Sequence, residues 1–133
     1  MKITLTNKEI FHSRNKPQFS LWGEIQTEYR ICRGLRYVTT AGHGGYMVSK
    51  GLANKILPPE VVRQGHPWGS YLCFEEDCAW AFVDYFLVDS GLLDGILNRN
   101  TRYTKEEIKQ LARETIERWY PEFTNNNPIY FCN

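Results

Sequence analysis

The sequence lacks a strong excess of charge of either sign. Its 133 residues carry 16 basic and 15 acidic side chains, so the formal net charge is only +1. A protein that holds nucleic acid through its phosphates usually shows a basic excess or a basic stripe. Here the densest basic group, Arg30, Arg33 and Arg36, has Glu24 and Glu28 close by. The charge pattern therefore argues against strong nucleic-acid binding.

Paired cysteines are also missing. None of the four cysteines forms a Cys-x-x-Cys pair, so the signature of a structural zinc site is absent. We expect no metal and no cofactor. Cys78 lies in the most apolar segment of the chain, where a thiol behaves as a small hydrophobe. We therefore expect reduced, mostly buried thiols and no cysteine nucleophile.

Long apolar runs are absent as well. No stretch is long enough to span a bilayer, and the start, 1-MKITLTNKEIF-11, lacks the apolar region of a signal peptide. We therefore expect a cytoplasmic protein that makes no membrane contact. A length of 133 residues with 42% hydrophobic side chains predicts one folded domain over residues 1–133.

Alternation of apolar and polar side chains predicts strands in the first half of the chain. Residues 20–31 give the clearest period-2 signal, which predicts one long strand with its apolar side inward and its charged side in solvent. Residues 35–40 and 46–49 predict its antiparallel partners, and residues 1–6 and 71–74 predict further short strands. We expect residues 66–70 to form a loop.

Helical periodicity replaces this alternation later in the chain. The segment 76–89 is apolar around nearly its whole circumference, which predicts a buried central helix with Asp84 as its one interior charge. Thr104 and Glu107 form a capping box that predicts the start of the last helix, and Pro121 ends it.

The tail is too apolar at its end to extend into water. We expect Ile129, Tyr130 and Phe131 to dock, either on the core of the same chain or on a second copy. Together the elements predict an α+β fold, in which an N-terminal antiparallel sheet of about three to four strands is packed by C-terminal helices.

The first candidate site is the glycine corner, 39-TTAGHGG-45. It places His43, one of three histidines, among Gly42, Gly44 and Gly45. Glycine backbone can cup an anion, and an imidazole can exchange a proton near neutral pH. The spacing matches neither the phosphate loop of ATPases nor the dinucleotide fingerprint. A ligand-binding corner and an ordinary hairpin turn both remain open.

The second candidate is the acidic run 75-EED-77. Glu75, Glu76 and Asp77 could act as acid and base with His43, or bind a divalent cation. They could equally be charges that favour the start of a helix. The distance from this run to His43 decides between these interpretations, because a histidine and carboxylates that meet in a cleft commonly form a site.

Aromatic and arginine side chains form a third candidate. An aromatic ring beside a guanidinium could hold a base and a phosphate, although the same residues could simply pack at the surface and sheet edge. The residues are Trp22, Tyr29, Arg30, Arg36, Tyr37 and Trp68.

The pattern Trp22-Gly23, Thr-x-x-His-Gly-Gly over 40–45 and Glu-Glu-Asp-x-x-Trp over 75–80 resembles a family of small proteins of unknown function. That family is encoded largely by bacteriophages and related mobile elements, so the resemblance implies a phage origin and transfers no reaction. It also implies that one feature unites a set of residues within 20–85: Trp22, His43, Gly44, Gly45, Glu75, Glu76 and Asp77.

Three functions fit these observations. The first is a counter-defence binding module that sequesters a small anionic nucleotide-like ligand in the host cytoplasm. Such a module could work as a homo-oligomer. Its expected ligand-binding residues are Trp22, Arg30, Arg36, His43, Gly44, Gly45 and Trp68. The second is a small hydrolase or nucleotide-modifying enzyme that uses His43 with Glu75, Glu76 or Asp77. The third is an inhibitor that binds a host defence protein.

Overall fold

The computed structural model describes Ile3 and residues 18–132 of the chain. The strand expected over residues 1–6 therefore lies outside the described residues, apart from Ile3. Within residues 18–132 the strands are β1 (Phe19–Ser20), β2 (Gly23–Glu24), β3 (Thr27–Cys32), β4 (Leu35–Thr39), β5 (Gly44–Ser49), β6 (His66–Trp68) and β7 (Tyr71–Glu75). The helices are α1 (Lys50–Ile56), α2 (Pro59–Val62), α3 (Trp80–Leu87), α4 (Asp94–Asn100), α5 (Lys105–Trp119) and α6 (Pro121–Asn126).

The main sheet of the described residues is antiparallel and has the order β3-β4-β5-β7-β6. Strands dominate the N-terminal half and helices the C-terminal half, so the predicted α+β fold is confirmed. The sheet has five strands rather than three to four, because β7 and then β6 extend it beyond β5. The loop expected at 66–70 was wrong in part: His66–Trp68 pairs with β7, and an edge position tolerates Pro67 because proline has no N–H to donate.

The long strand expected over 20–31 is broken into a small hairpin and β3. β1 and β2 pair across a turn at Leu21–Trp22, and Gly23 has φ +117°, a conformation that favours glycine. The Ser20 hydroxyl donates to the Gly23 carbonyl at 3.0 Å and accepts from the Trp22 N–H at 3.1 Å. These local bonds offer the backbone an alternative to the sheet, which the alternating pattern alone does not reveal.

β3 contains a further irregularity, a bulge at Ile31. Arg30 pairs with Arg36, but the next pair is Cys32 with Leu35, so Ile31 is the extra residue. Leu35 is a core residue, and Cys32 packs against that core. The expectation that charged side chains of this strand face solvent was also wrong for Glu28, which is only 1% exposed.

The helices cover one face of the sheet and enclose the main core. Every residue of α3 except Phe86 is buried, as the apolar segment predicted, although the helix begins at Trp80 because residues 76–79 form a turn. The capping box at Thr104 and Glu107 is confirmed at the start of α5.

The tail docks on the core of the same chain. The Phe131 ring stacks on Tyr85 with ring centroids 5.1 Å apart, and the Tyr85 hydroxyl donates to the Tyr130 carbonyl at 2.5 Å. Ile129, in contrast, is 77% exposed, so only part of the apolar tail is covered. No helix among the described residues is both long and apolar enough to cross a membrane.

The opposite face of the sheet is only partly covered. Leu21, Trp22 and Ile25, from the β1–β2 hairpin and the residues after it, pack on a small cluster of Val38, Met47 and Cys73. We call this side the open face. The hairpin covers its middle, and the area beyond the hairpin is where a cleft remains.

Candidate ligand-binding cleft

A basic cleft of about 580 Å³ lies on the open face at the end of β5. Four cationic side chains line it together with small, aromatic and aliphatic residues, and the lining contains no carboxylate among the described residues. The lining residues are Arg30, Arg33, Gly34, Arg36, Ser49, Gly51, Leu52, Lys55 and Tyr71. The cleft therefore combines concentrated positive charge with an aromatic surface.

The arginines reach the cleft because of the sheet register and the bulge. Arg30 on β3 lies directly opposite Arg36 on β4, so both side chains project from the open face. In a regular strand the next side chain on that face would be Cys32. The bulge turns Cys32 toward the core instead, so Arg33, in the following turn, joins Arg30 and Arg36 in lining the cleft.

Arg36 is fixed in the floor of the basic cleft by a buried ion pair. Its Nη1 donates to Glu28 Oε1 at 2.7 Å, and the two side chains are only 6% and 1% exposed. Glu28 Oε2 and Arg36 Nε are buried with no hydrogen-bond partner in the described part of the chain. Such unsatisfied buried groups are costly in a native fold and recur at functional sites.

The far wall of the basic cleft is formed by β7 and α1. Tyr71 lies opposite Ser49 across β5 and β7, and its ring also packs on the Val38, Met47 and Cys73 cluster. Lys55 comes from the last turn of α1, whose N-cap is the Ser49 hydroxyl, an acceptor for the Leu52 N–H at 3.3 Å. Helix α1 thus places the Lys55 side chain over the end of the sheet, at the basic cleft.

The glycine corner lies at the other end of β5. It is the β4–β5 hairpin loop: the Thr40 N–H donates to the His43 carbonyl at 2.8 Å, and the Thr40 hydroxyl accepts from the His43 N–H at 3.1 Å. A Cβ on Gly44 would lie 2.4 Å from the Val38 carbonyl oxygen, and one on Gly45 would lie 2.2 Å from that of Phe74. Close packing against both neighbouring strands thus accounts for these glycines.

The acidic run meets the glycine corner, as the pairing of β5 with β7 requires. His43 Nδ1 lies 3.9 Å from Asp77 Oδ2, with side chains 61% and 68% exposed. Glu75 ends β7 rather than starting a helix, and its carboxylate accepts from the N–H groups of Asp77, Cys78 and Ala79 at 2.6, 2.7 and 2.9 Å. Glu75 is therefore occupied in holding the turn before α3.

The residues that the sequence pattern grouped together do meet in the fold. The Trp22 carbonyl accepts from the Thr40 hydroxyl at 3.4 Å, Gly45 pairs with Glu75, and the Glu76 N–H donates to the Gly44 carbonyl at 2.9 Å. Among the described residues, no group of three or more His, Cys, Asp or Glu side chains is placed to hold a metal ion.

The expected ligand-binding set is divided between the two ends of the sheet. Arg30 and Arg36 line the basic cleft, whereas His43, Gly44 and Gly45 lie at the glycine corner. Since β5 is extended, the separation from residue 43 to residue 49 is about 20 Å. Trp22, in the turn of the β1–β2 hairpin, packs on the Val38, Met47 and Cys73 cluster. Trp68, on the edge strand, pairs with Tyr71, and neither tryptophan lines the cleft.

Sequence reasoning missed Ser49, Lys55 and Tyr71 as lining residues and left Arg33 out of the binding set. The dense group of arginines was visible in the sequence, but their common face depends on the bulge. Lys55 and Tyr71 come from elements that follow β5, and only the tertiary packing brings them to the arginines.

A buried carboxyl lies behind the glycine corner, on the helical side of the sheet. The Tyr46 hydroxyl donates to Asp84 Oδ1 at 2.6 Å, and Asp84 Oδ2 has no hydrogen-bond partner among the described residues. Burial raises the pKa of Asp84 to about 7, although the bond from Tyr46 lowers it. Burial likewise raises the pKa of Tyr46 well above its usual value. The hydrogen bond between Tyr46 and Asp84 links β5 to α3.

Comparison with curated proteins finds no match, and comparison with solved structures also finds none. A protein family described as a domain of unknown function, DUF7007, matches residues 15–127. This agrees with the expected membership in a family of unknown function. Because the match covers most of the sequence, the chain belongs to the DUF7007 family.

Proposed function

We propose that the protein binds and holds a small anionic, nucleotide-like ligand in the basic cleft. The observation that carries the proposal is the convergence of Arg30, Arg33, Arg36 and Lys55 on one cleft whose described lining contains no carboxylate. Guanidinium groups recognise phosphate oxygens through paired hydrogen bonds, and an ammonium group adds a further charge.

The placement of two arginines supports a ligand rather than a structural role. Arg30 and Arg36 are directly opposite on neighbouring strands, an arrangement that costs stability because like charges repel. Glu28 compensates Arg36 from the side, and Arg33 and Lys55 line the same cleft, so positive charge is concentrated around one space. A bound phosphate would lie between like charges and offset this repulsion.

The biological role we propose is sequestration of a nucleotide signal. The sequence resemblance to phage-encoded proteins supports an origin in a phage, which would place the protein in the host cytoplasm as a counter-defence factor. The lining supports holding over turnover, because among the described residues it contains no His, Cys, Asp or Glu that could act as nucleophile or base.

Isothermal titration calorimetry against AMP, ADP, ADP-ribose and 3′,5′-cyclic AMP tests the proposal. We expect at least one to bind, and we expect Arg33→Ala to weaken it about tenfold or more, since hydrogen bonds to charged groups contribute roughly 1.5–3 kcal/mol. Arg63→Ala is the matched control, because Arg63 is exposed and lies outside the basic cleft. Equal losses in both variants, or no heat with any nucleotide, would refute the proposal.

One observation favours the enzyme as a second candidate: the exposed His43 and Asp77 side chains lie 3.9 Å apart at the glycine corner. A carboxylate beside a histidine can orient it as a general base. This alternative predicts that the protein converts a nucleotide and that His43→Ala loses the conversion. Chromatography of the products measures both. A wild-type protein that returns every nucleotide unchanged excludes it for those substrates.

A further inference from the structure

The basic cleft is charged on one side and aromatic on the other. Arg30 and Arg36 lie on β3 and β4, whereas Tyr71 lies on β7, beyond β5. Neighbouring strands are about 4.8 Å apart, so roughly 10 Å of sheet separates Arg36 from Tyr71. A lone phosphate on the arginines could not reach the ring, but a phosphate that carries a larger group could.

Tyr71 is held in place before any ligand arrives. Part of the side chain packs on Val38, Met47 and Cys73, and the rest lines the basic cleft. An aromatic ring that is already ordered loses little conformational entropy when it stacks on another ring. Room is available beside it, since its cross-strand partner is the small Ser49, and a Cβ on Gly51 would meet nothing within 4 Å.

The other candidate aromatics are placed less well for stacking in the basic cleft. Trp22 packs with the hairpin on the same cluster from the glycine-corner side, where its carbonyl contacts Thr40. Trp68 is 41% exposed on the edge strand, one strand farther from the arginines than Tyr71. Neither lines the cleft.

We infer that Tyr71 is the base-stacking residue of the basic cleft and that the ligand class is a nucleoside phosphate rather than a base-free phosphate. The phosphate would bind the arginines, and the base would lie on the Tyr71 ring. This inference rests on the proposed function, and it adds to it a binding residue and a requirement for an aromatic base.

Matched ligands test the inference on the wild-type protein without any substitution. AMP is compared with ribose 5-phosphate, and ADP with pyrophosphate, by isothermal titration calorimetry. We expect each nucleotide to bind about tenfold tighter than its base-free partner, the lower range of base–aromatic stacking. Equal affinity within both pairs would overturn the inference and leave the proposed function standing. Binding of none of the four would overturn the inference, and failure of ADP-ribose and 3′,5′-cyclic AMP to bind as well would overturn the proposed function.

Substitutions then locate the ring. Tyr71→Leu should abolish the preference for nucleotides while ribose 5-phosphate affinity changes less than about twofold, and Tyr71→Phe should keep the preference because it keeps the ring. Far-UV circular dichroism checks that both variants fold. The assignment of Tyr71 would be overturned if a folded Tyr71→Leu variant still preferred nucleotides. It would also be overturned if Trp68→Leu lost the preference for nucleotides. If Tyr71→Leu does not fold, loss of the preference in Tyr71→Phe overturns it, and retention supports an aromatic ring at this position.

Discussion

The two ends of β5 serve different purposes. At the glycine corner, Gly44 and Gly45 let the backbone approach β4 and β7, and Tyr46 is tied to the buried Asp84. At the other end, Ser49 borders the basic cleft, where cations gather without a carboxylate in the described lining. One strand thus joins an end built for close packing to an end suited to an anion.

The two ends of β5 also differ in how the sequence displays them. The glycine corner is the most unusual stretch of the sequence, yet each of its glycines at 44 and 45 has a steric reason in the sheet. The basic cleft is assembled from common residues on separate elements. Close packing therefore explains Gly44 and Gly45, whereas the basic cleft has no compact sequence motif.

The largest expected effect is on the free energy of unfolding, and it arises at the glycine-corner end of β5. Asp84 has a pKa of about 7 in the fold and 3.8 as its ordinary value, so the folded state binds more protons than the unfolded state between these pH values. The contribution of Asp84 to stability should be greatest below pH 4, fall as the pH rises through this range, and level off above 7. At about 1.4 kcal/mol per pH unit, the total loss is on the order of 4 kcal/mol.

Asp84→Asn isolates this contribution, because an amide cannot ionise and still offers Tyr46 an acceptor. Urea unfolding at pH 4.5, 6 and 8 should show the variant more stable than the wild type at pH 8 and the difference shrinking toward pH 4.5. Ligand affinity at the basic cleft should not change at a fixed pH. A stability difference that is independent of pH would contradict the assignment.

The next largest effect should follow from a single methyl group. Gly45→Ala should destabilise the protein by about 3 kcal/mol or more, because the Cβ collides with the Phe74 carbonyl and φ is +149°. Gly42→Ala is the control within the same loop, since its Cβ would meet nothing within 4 Å. Urea midpoints measure both. Similar midpoints for the two variants would show that Gly45 is not required for packing.

A carboxylate introduced at each end of β5 sharpens the comparison in binding. Gly51→Glu places a carboxylate in the lining of the basic cleft and should weaken nucleotide binding about tenfold or more. The fold should tolerate it, since a carboxylate suits the first turn of α1 and the position is open. Gly42→Glu makes the same change at the glycine corner and should leave affinity unaltered. The reverse ranking would move the site to the corner.

The smallest effect is expected at His43. The side chain is largely exposed and lies 3.9 Å from an exposed Asp77, so His43→Ala should change the free energy of unfolding by less than about 0.5 kcal/mol. It should also leave nucleotide affinity unchanged in calorimetry. A loss of binding in this variant, with unfolding unaffected, would break the division between the two ends.

Local signals predicted the local features of this fold well. The alternation of β3, the strands β4 and β5, the buried α3 and the capping box of α5 all follow from side-chain periodicity and capping chemistry. The turn at Leu21–Trp22 and the bulge at Ile31 did not follow, because each depends on a backbone conformation that breaks the period-2 pattern. The sequence suggested that His43 and Asp77 could be neighbours, but it could not predict the distance between them.

The basic cleft was predictable only in part for the same reason. Arg30 and Arg36 were chosen from their position beside aromatic residues, and both line it. Lys55 and Tyr71 lie after β5 in the chain, so their approach to the arginines requires the order β4-β5-β7 and the return of α1 over the sheet. No periodicity within one element contains that information.

The most direct measurement is a titration of ¹⁵N-labelled protein with AMP and ADP-ribose, followed by amide chemical shifts. If the basic cleft is the site, the largest shifts will lie on Arg30, Arg33, Gly34, Gly51 and Tyr71, with Gly42, His43 and Asp77 nearly unmoved. Shifts centred on His43 and Asp77, with the cleft amides unchanged, would contradict the account.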